Sequence, residues 1–92
     1  MIVYIAGPIT GHLYYRERFK KAEDTLMEMG HIVINPSYLP SGLKDYMIIC
    51  KAMIEQSDAI FLLTGWNDSV GATEEFEYAK SLEKKIFFEE DL

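Results

Sequence analysis

The sequence predicts a three-layer α/β/α fold built on a four-stranded parallel sheet. Three observations carry that prediction. Four short apolar runs are rich in β-branched and aromatic residues; the three segments between them repeat their apolar residues at helical spacing; and glycine-bearing loops follow the first and third runs. Strands alternating with helices imply parallel pairing through right-handed crossovers. The chain has 92 residues, 49% of them hydrophobic and 26% charged, which suits one globular domain over residues 1–92 with one core.

The first strand is expected over Ile2–Ala6, an apolar run with no basic leader before it and too short to span a membrane. Helix one follows from about His12 to Met29, with Tyr15, Phe19, Ala22, Leu26 and Met29 forming one buried stripe and Gly30 placed to cap it. The second strand spans about His31–Asn35. Helix two runs from about Leu43 to Gln56, where Leu43, Met47, Cys50 and Ile54 make the core stripe. Ile48, Ile49 and Ala52 give this helix a second apolar face. Either a second subunit covers that face, making the protein a homodimer or higher homo-oligomer, or the loop from Asn35 to Gly42 does; we favour the subunit. The third strand, Ala59–Thr64, leads through Gly65–Gly71 into helix three, with Asp68 or Ser69 as N-cap and Ala72, Phe76, Ala79 and Leu82 on its buried side. Lys85–Phe88 is the fourth strand. The simplest strand order is 2-1-3-4, a flavodoxin-like arrangement with its reversal of direction between strands one and three.

Ligands of such sheets bind at that reversal, beyond the carboxyl ends of the strands. The loops there are Ala6-Gly7-Pro8-Ile9-Thr10-Gly11 and Gly65 to Gly71, each opening a helix whose free N–H groups favour an anion. Glycines at such places also simply permit tight turns; the pairing of two loops at the switch point favours a ligand site. Neither loop is a Walker motif or a dinucleotide fingerprint, so ATP hydrolysis and NAD chemistry find no support.

Helix three carries Glu74, Glu75 and Glu77. At helical spacing Glu75 falls within about 40° of Ala79 and about 20° of Leu82, so it alone faces inward. A carboxylate at the edge of a core needs a hydrogen-bonding partner or a chemical task. Tyr4 is placed either in the core or with its hydroxyl reaching the crevice. Trp66 and Asn67 are placed to stack on or read a base, with Trp66 equally suited to lidding the core. His12 and His31 are isolated and read as ordinary surface residues.

A net charge of −6 argues against a duplex nucleic-acid partner, and Arg16, Arg18, Lys20 and Lys21 read as the solvated face of a helix. Cys50, the one cysteine, has no disulfide partner, so a reducing, cytoplasmic compartment is expected. Two histidines without partner cysteines give no metal-site pattern.

The sequence resembles the nucleoside 2-deoxyribosyltransferase-like superfamily, and within it a family of small phage and bacterial proteins of the DUF4406 kind. The resemblance covers nearly the whole chain. It rests on Tyr4-Ile5-Ala6-Gly7-Pro8-Ile9-Thr10-Gly11, on Ser57-Asp58-Ala59-Ile60, and most specifically on Ser69-Val70-Gly71-Ala72-Thr73-Glu74-Glu75-Phe76-Glu77-Tyr78-Ala79. It implies Glu75 as nucleophile, Tyr4 as active-site tyrosine, Ser69 as phosphate-binding serine, and Gly7, Ile9, Gly11, Gly71 and Cys50 around the substrate. The implied reaction is N-glycosidic cleavage or deoxyribosyl transfer on a nucleoside or nucleoside monophosphate, with no cofactor or metal. In one respect the chain departs from the pattern: the superfamily's enzymes carry an aspartate where Cys50 stands. A catalytically weak protein that binds or sequesters a nucleotide in the same crevice is therefore the alternative expectation.

Overall fold

Strand β1 (Ile2–Ala6) lies between β2 (Ile32–Ile34) and β3 (Ala59–Leu62), and β4 (Lys85–Phe88) pairs with the far side of β3. Every pair is parallel: Tyr4 stands opposite Ile34 on one side and Ile60 on the other, and Phe61 opposite Phe87. The order is therefore β2-β1-β3-β4 in a flavodoxin-like fold, as the alternation of strands and helices predicts. The computed structural model describes residues 1–92.

Helix α1 (Tyr15–Glu28) covers one face of the sheet, and α2 (Tyr46–Glu55) with α3 (Val70–Ser81) covers the other. The two-residue period of β1 feeds both sides. Val3 and Ile5 pack with Phe19, Ala22, Leu26, Phe61 and Leu63 under α1. Tyr4 and Ala6 pack with Cys50, Ile54, Ile60, Leu62 and Ala79 under the other two helices.

Local chemistry sets the helix ends. Asp45 accepts hydrogen bonds from the Met47 and Ile48 amides and starts α2. Ser69 does the same for α3 through the Ala72 amide at 3.2 Å. Gly30, with φ +92°, ends α1 in the left-handed conformation, and His31 N–H closes a six-to-one bond on Leu26 C=O at 3.1 Å.

The helices begin later than their periodicity suggests. α1 starts at Tyr15 rather than His12, because the chain after β1 first folds through a turn in which His12 N–H bonds Ile9 C=O at 3.1 Å. α2 starts at Tyr46 rather than Leu43, where the Asp45 cap fixes it. Met29 and Leu82, expected in buried stripes, are 56% and 39% exposed. Each is the C-cap of its helix, where the backbone leaves the spiral and the stripe ends. On α2, Ile48 is 68% exposed, so the segment from Asn35 to Gly42 does not cover that second apolar face. No helix is long and apolar enough to cross a membrane.

Candidate active site

A cavity of about 300 Å³ opens at the carboxyl ends of β1 and β3. Its walls come from the loop after β1 (Gly7, Ile9, Thr10), the start of α3 (Ser69, Gly71, Ala72, Glu75) and the middle of α2 (Met47, Cys50). Such a volume lies at the small end of ligand sites and suits a compact organic molecule. Gly7 lets the first of these loops sit down on β3: a Cβ there would stand 2.8 Å from Leu63 Cδ1, closer than carbon atoms approach.

Glu75 is the only acidic residue in the lining, and no Lys, Arg or His lines it. Its side chain is turned into the protein, 7% exposed, whereas Glu74 points outward to pair with Lys51 at 3.1 Å and Glu77 lies in solvent. Tyr4, at the centre of β1, is fully buried and donates its hydroxyl to Glu75 Oε2. Burial pushes the Glu75 carboxyl up to about 7, against the opposing pull of the hydrogen bonds from Tyr4 and Cys50. Burial likewise pushes the Cys50 thiol up to about 11, so it stays protonated, and holds the Tyr4 hydroxyl well above its ordinary value. The site is thus a carboxyl poised near neutrality between two neutral donors. No ion pair restrains it. Arg18 donates instead to Thr64 C=O at 2.8 Å and pairs with Glu89 at 3.4 Å, and Arg16 lies over the Tyr15 ring at 5.5 Å.

A second wall comes from the segment between β2 and α2, through Pro36, Ser37, Leu39 and Ser41, and from Tyr46 at the start of α2. A buried polar clasp holds it to α1. Glu23 accepts from Asn35 Nδ2 at 3.0 Å and from the Tyr38 hydroxyl at 2.9 Å, while Asn35 Oδ1 caps the Ser37 amide at 2.9 Å. Every member of this clasp is satisfied, as a buried polar group requires.

Of the residues singled out in the sequence, Gly7, Ile9, Cys50, Ser69, Gly71 and Glu75 meet around the cavity, and Tyr4 touches it only through Glu75. Three do not join them. Trp66 stacks on Phe76 at 4.7 Å and on Phe88 at 6.0 Å, sealing the α3–β4 side of the core. Asn67 is exposed in a short 3-10 turn, and Gly11, with φ +78°, is exposed in the turn before α1. Thr10, Ser37, Ser41 and Tyr46 are lining residues that sequence reasoning missed. The Asn35-Pro36-Ser37 turn signal marked where the chain bends back toward the site.

Fold and cavity together define a parallel α/β protein with an acidic pocket at its switch point. The chain belongs to the family described as Domain of unknown function (DUF4406), which it matches over residues 1–88. Its structure is similar to that of a 2-deoxyribosyltransferase from the psychrotolerant bacterium Bacillus psychrosaccharolyticus, described as a biocatalyst for making antiviral and antitumoral nucleosides. The TM-score is 0.73 at 20% identity, covering 96% of this chain and 71% of that one. No curated protein matches the chain.

Proposed function

We propose that this protein cleaves or exchanges the N-glycosidic bond of a 2′-deoxynucleoside or its 5′-monophosphate, with Glu75 as nucleophile. The observation that carries the reading is one inward carboxylate, free of ion pairs, in a cavity at the switch point. The similarity of fold to a 2-deoxyribosyltransferase supports it.

In this reaction a Glu75 oxygen attacks C1′ of the sugar. The C1′–N bond breaks through an oxocarbenium-like transition state, and its electron pair leaves with the base, which takes a proton from solvent. Water then attacks C1′ and frees the sugar and Glu75; a second base in place of water gives transfer. Tyr4, bonded to Oε2, fixes the carboxylate plane and leaves the other oxygen for the attack. Ser69 Oγ accepts the Ala72 amide and keeps its own proton for a 5′-phosphate. No cofactor takes part. The reading treats residues 1–92 as one domain in a cytoplasmic protein, paired with a second copy through Ile48, Ile49 and Ala52 of α2.

One observation favours a second reading, a binding or sequestering protein. Cys50, where the resemblance calls for an aspartate, is a neutral thiol and offers no charged acceptor to the sugar. The two readings part when 2′-deoxynucleosides and their monophosphates are incubated with the protein and free base is measured beside a Glu75→Ala control. Base release that is lost in the variant, and that rises between pH 6 and 8 as Glu75 ionises, is the expected result. Retained binding without release establishes the second reading; equal release by the variant removes Glu75 as nucleophile.

A further inference from the structure

One side of the cavity is held differently from the rest. From Leu39 to Lys44 no backbone hydrogen bond reaches a strand or an α-helix, so this strap, which brings Leu39 and Ser41 to the cavity, is seated by side chains. At its far end the Tyr46 hydroxyl donates to Pro40 C=O. At its near end stands Glu23 of α1, which does not itself line the cavity. One Glu23 oxygen accepts from Asn35 and the other from Tyr38, so a single buried carboxylate bridges both flanks of the Pro36–Ser37 turn.

We infer that Glu23 is a positioning residue for ligand binding: through Asn35 and Tyr38 it seats the strap and sets where the Ser37 hydroxyl meets the ligand, given the reading of the cavity as a deoxynucleoside site. Glu23 falls in the buried stripe of α1 with Phe19, Ala22 and Leu26, where hydrocarbon would pack with no desolvation cost. A carboxylate there replaces non-directional contact with bonds of defined length and angle. What those bonds orient is Ser37. It lines the cavity and is 4% exposed; its amide is held by Asn35 Oδ1, yet its hydroxyl has no partner within the chain. No fully buried oxygen is left unpartnered, so that hydroxyl lies in the accessible remainder of the residue. A hydroxyl on a held backbone can donate to a ligand or accept from it.

Leu39, two residues further along, packs against the cluster that contains Cys50. A seated strap therefore also covers that thiol, the one cysteine of the chain.

The test reads strap and ligand separately. Alkylation of Cys50 by iodoacetamide at pH 8 reports the strap with no ligand present. Base release from 2′-deoxyadenosine and thymidine reports the ligand through KM and kcat, with Kd in place of KM if no base is released. Glu23→Ala is expected to alkylate about tenfold faster and to raise KM about fivefold, with kcat and its pH profile unmoved. Tyr38→Phe, at an exposed position that leaves the core intact, is expected to move both by about threefold. Glu23→Gln is expected to restore both, because its amide oxygen accepts from Asn35 and its N–H donates to the Tyr38 hydroxyl. Ser37→Ala is expected to raise KM and leave alkylation as in the unaltered chain. Phe61→Ala, which removes core packing under α1 and none of the clasp, is the control. Alkylation that rises as much there as in Glu23→Ala overturns the proposal, since lost stability alone then explains it. So do Glu23→Ala and Tyr38→Phe proteins that keep their KM, or that lose kcat at constant KM. An unaltered chain that binds neither nucleoside removes the deoxynucleoside reading instead, and Cys50 alkylation then still decides whether Glu23 seats the strap.

Discussion

The two faces of the sheet are built from the same strands and differ in kind. Under α1 the contacts between helix and strands are hydrocarbon, from Val3 and Ile5 to Phe61 and Leu63, and the buried acid of that helix, Glu23, is hydrogen-bonded by Asn35 and Tyr38. Under α2 and α3 the same strands, one residue out of phase, bring Tyr4 against Cys50 and Glu75. The first face maximises burial. The second gives up part of that stability to hold an acid in the cavity wall, where burial raises its pKa, the arrangement expected where a fold carries its chemistry.

Substitutions on each face test this contrast. Phe61→Ala, on the hydrocarbon side, should cost about 3 to 5 kcal/mol through lost burial and a cavity; urea unfolding measures it, and a loss under 1 kcal/mol would mean that face is loosely packed. Glu75→Gln, on the other side, should do the reverse and stabilise the fold. The Glu75 carboxyl is raised from 4.5 to about 7, so the native state holds a proton that the unfolded chain releases between those values. Its penalty is absent below pH 4.5, grows up to pH 7 and is then constant at roughly 3 kcal/mol, so the variant gains about that much at pH 8 and little at pH 4. Paired melts at the two pH values check this, and equal gains at both would remove burial of the acid as the cause. Ser69→Ala, which removes only the cap of α3, should cost about 1 kcal/mol; a neutral result would place the start of α3 under the control of its packing.

The inward turn of Glu75 was legible in the sequence. Its spacing from Ala79 and Leu82, like the apolar runs that mark the four strands, is a local pattern that tertiary contacts preserve. Strand order followed from chirality and short connections. The parts that were not legible depend on where the chain turns. Periodicity cannot see that residues 9–14 close a turn before α1, nor that Met29 and Leu82 are caps. From its loop position Trp66 suits a base or a lid over the core equally, and the neighbours that decide, Phe76 and Phe88, lie ten and twenty-two positions along the chain. The second wall of the cavity depends on the Glu23 clasp, a long-range polar contact with no pattern of its own.

Because β1 supplies Val3 and Ile5 to one layer and Tyr4 to the other, it works as a stiff beam shared by two rooms. Reshaping the floor on the α1 side, at Leu26 or Phe61, would raise or lower the tyrosine on the opposite side by fractions of an ångström. The acidity of Glu75 can thus be retuned from positions that never meet a ligand, and a search for altered activity has reason to begin there.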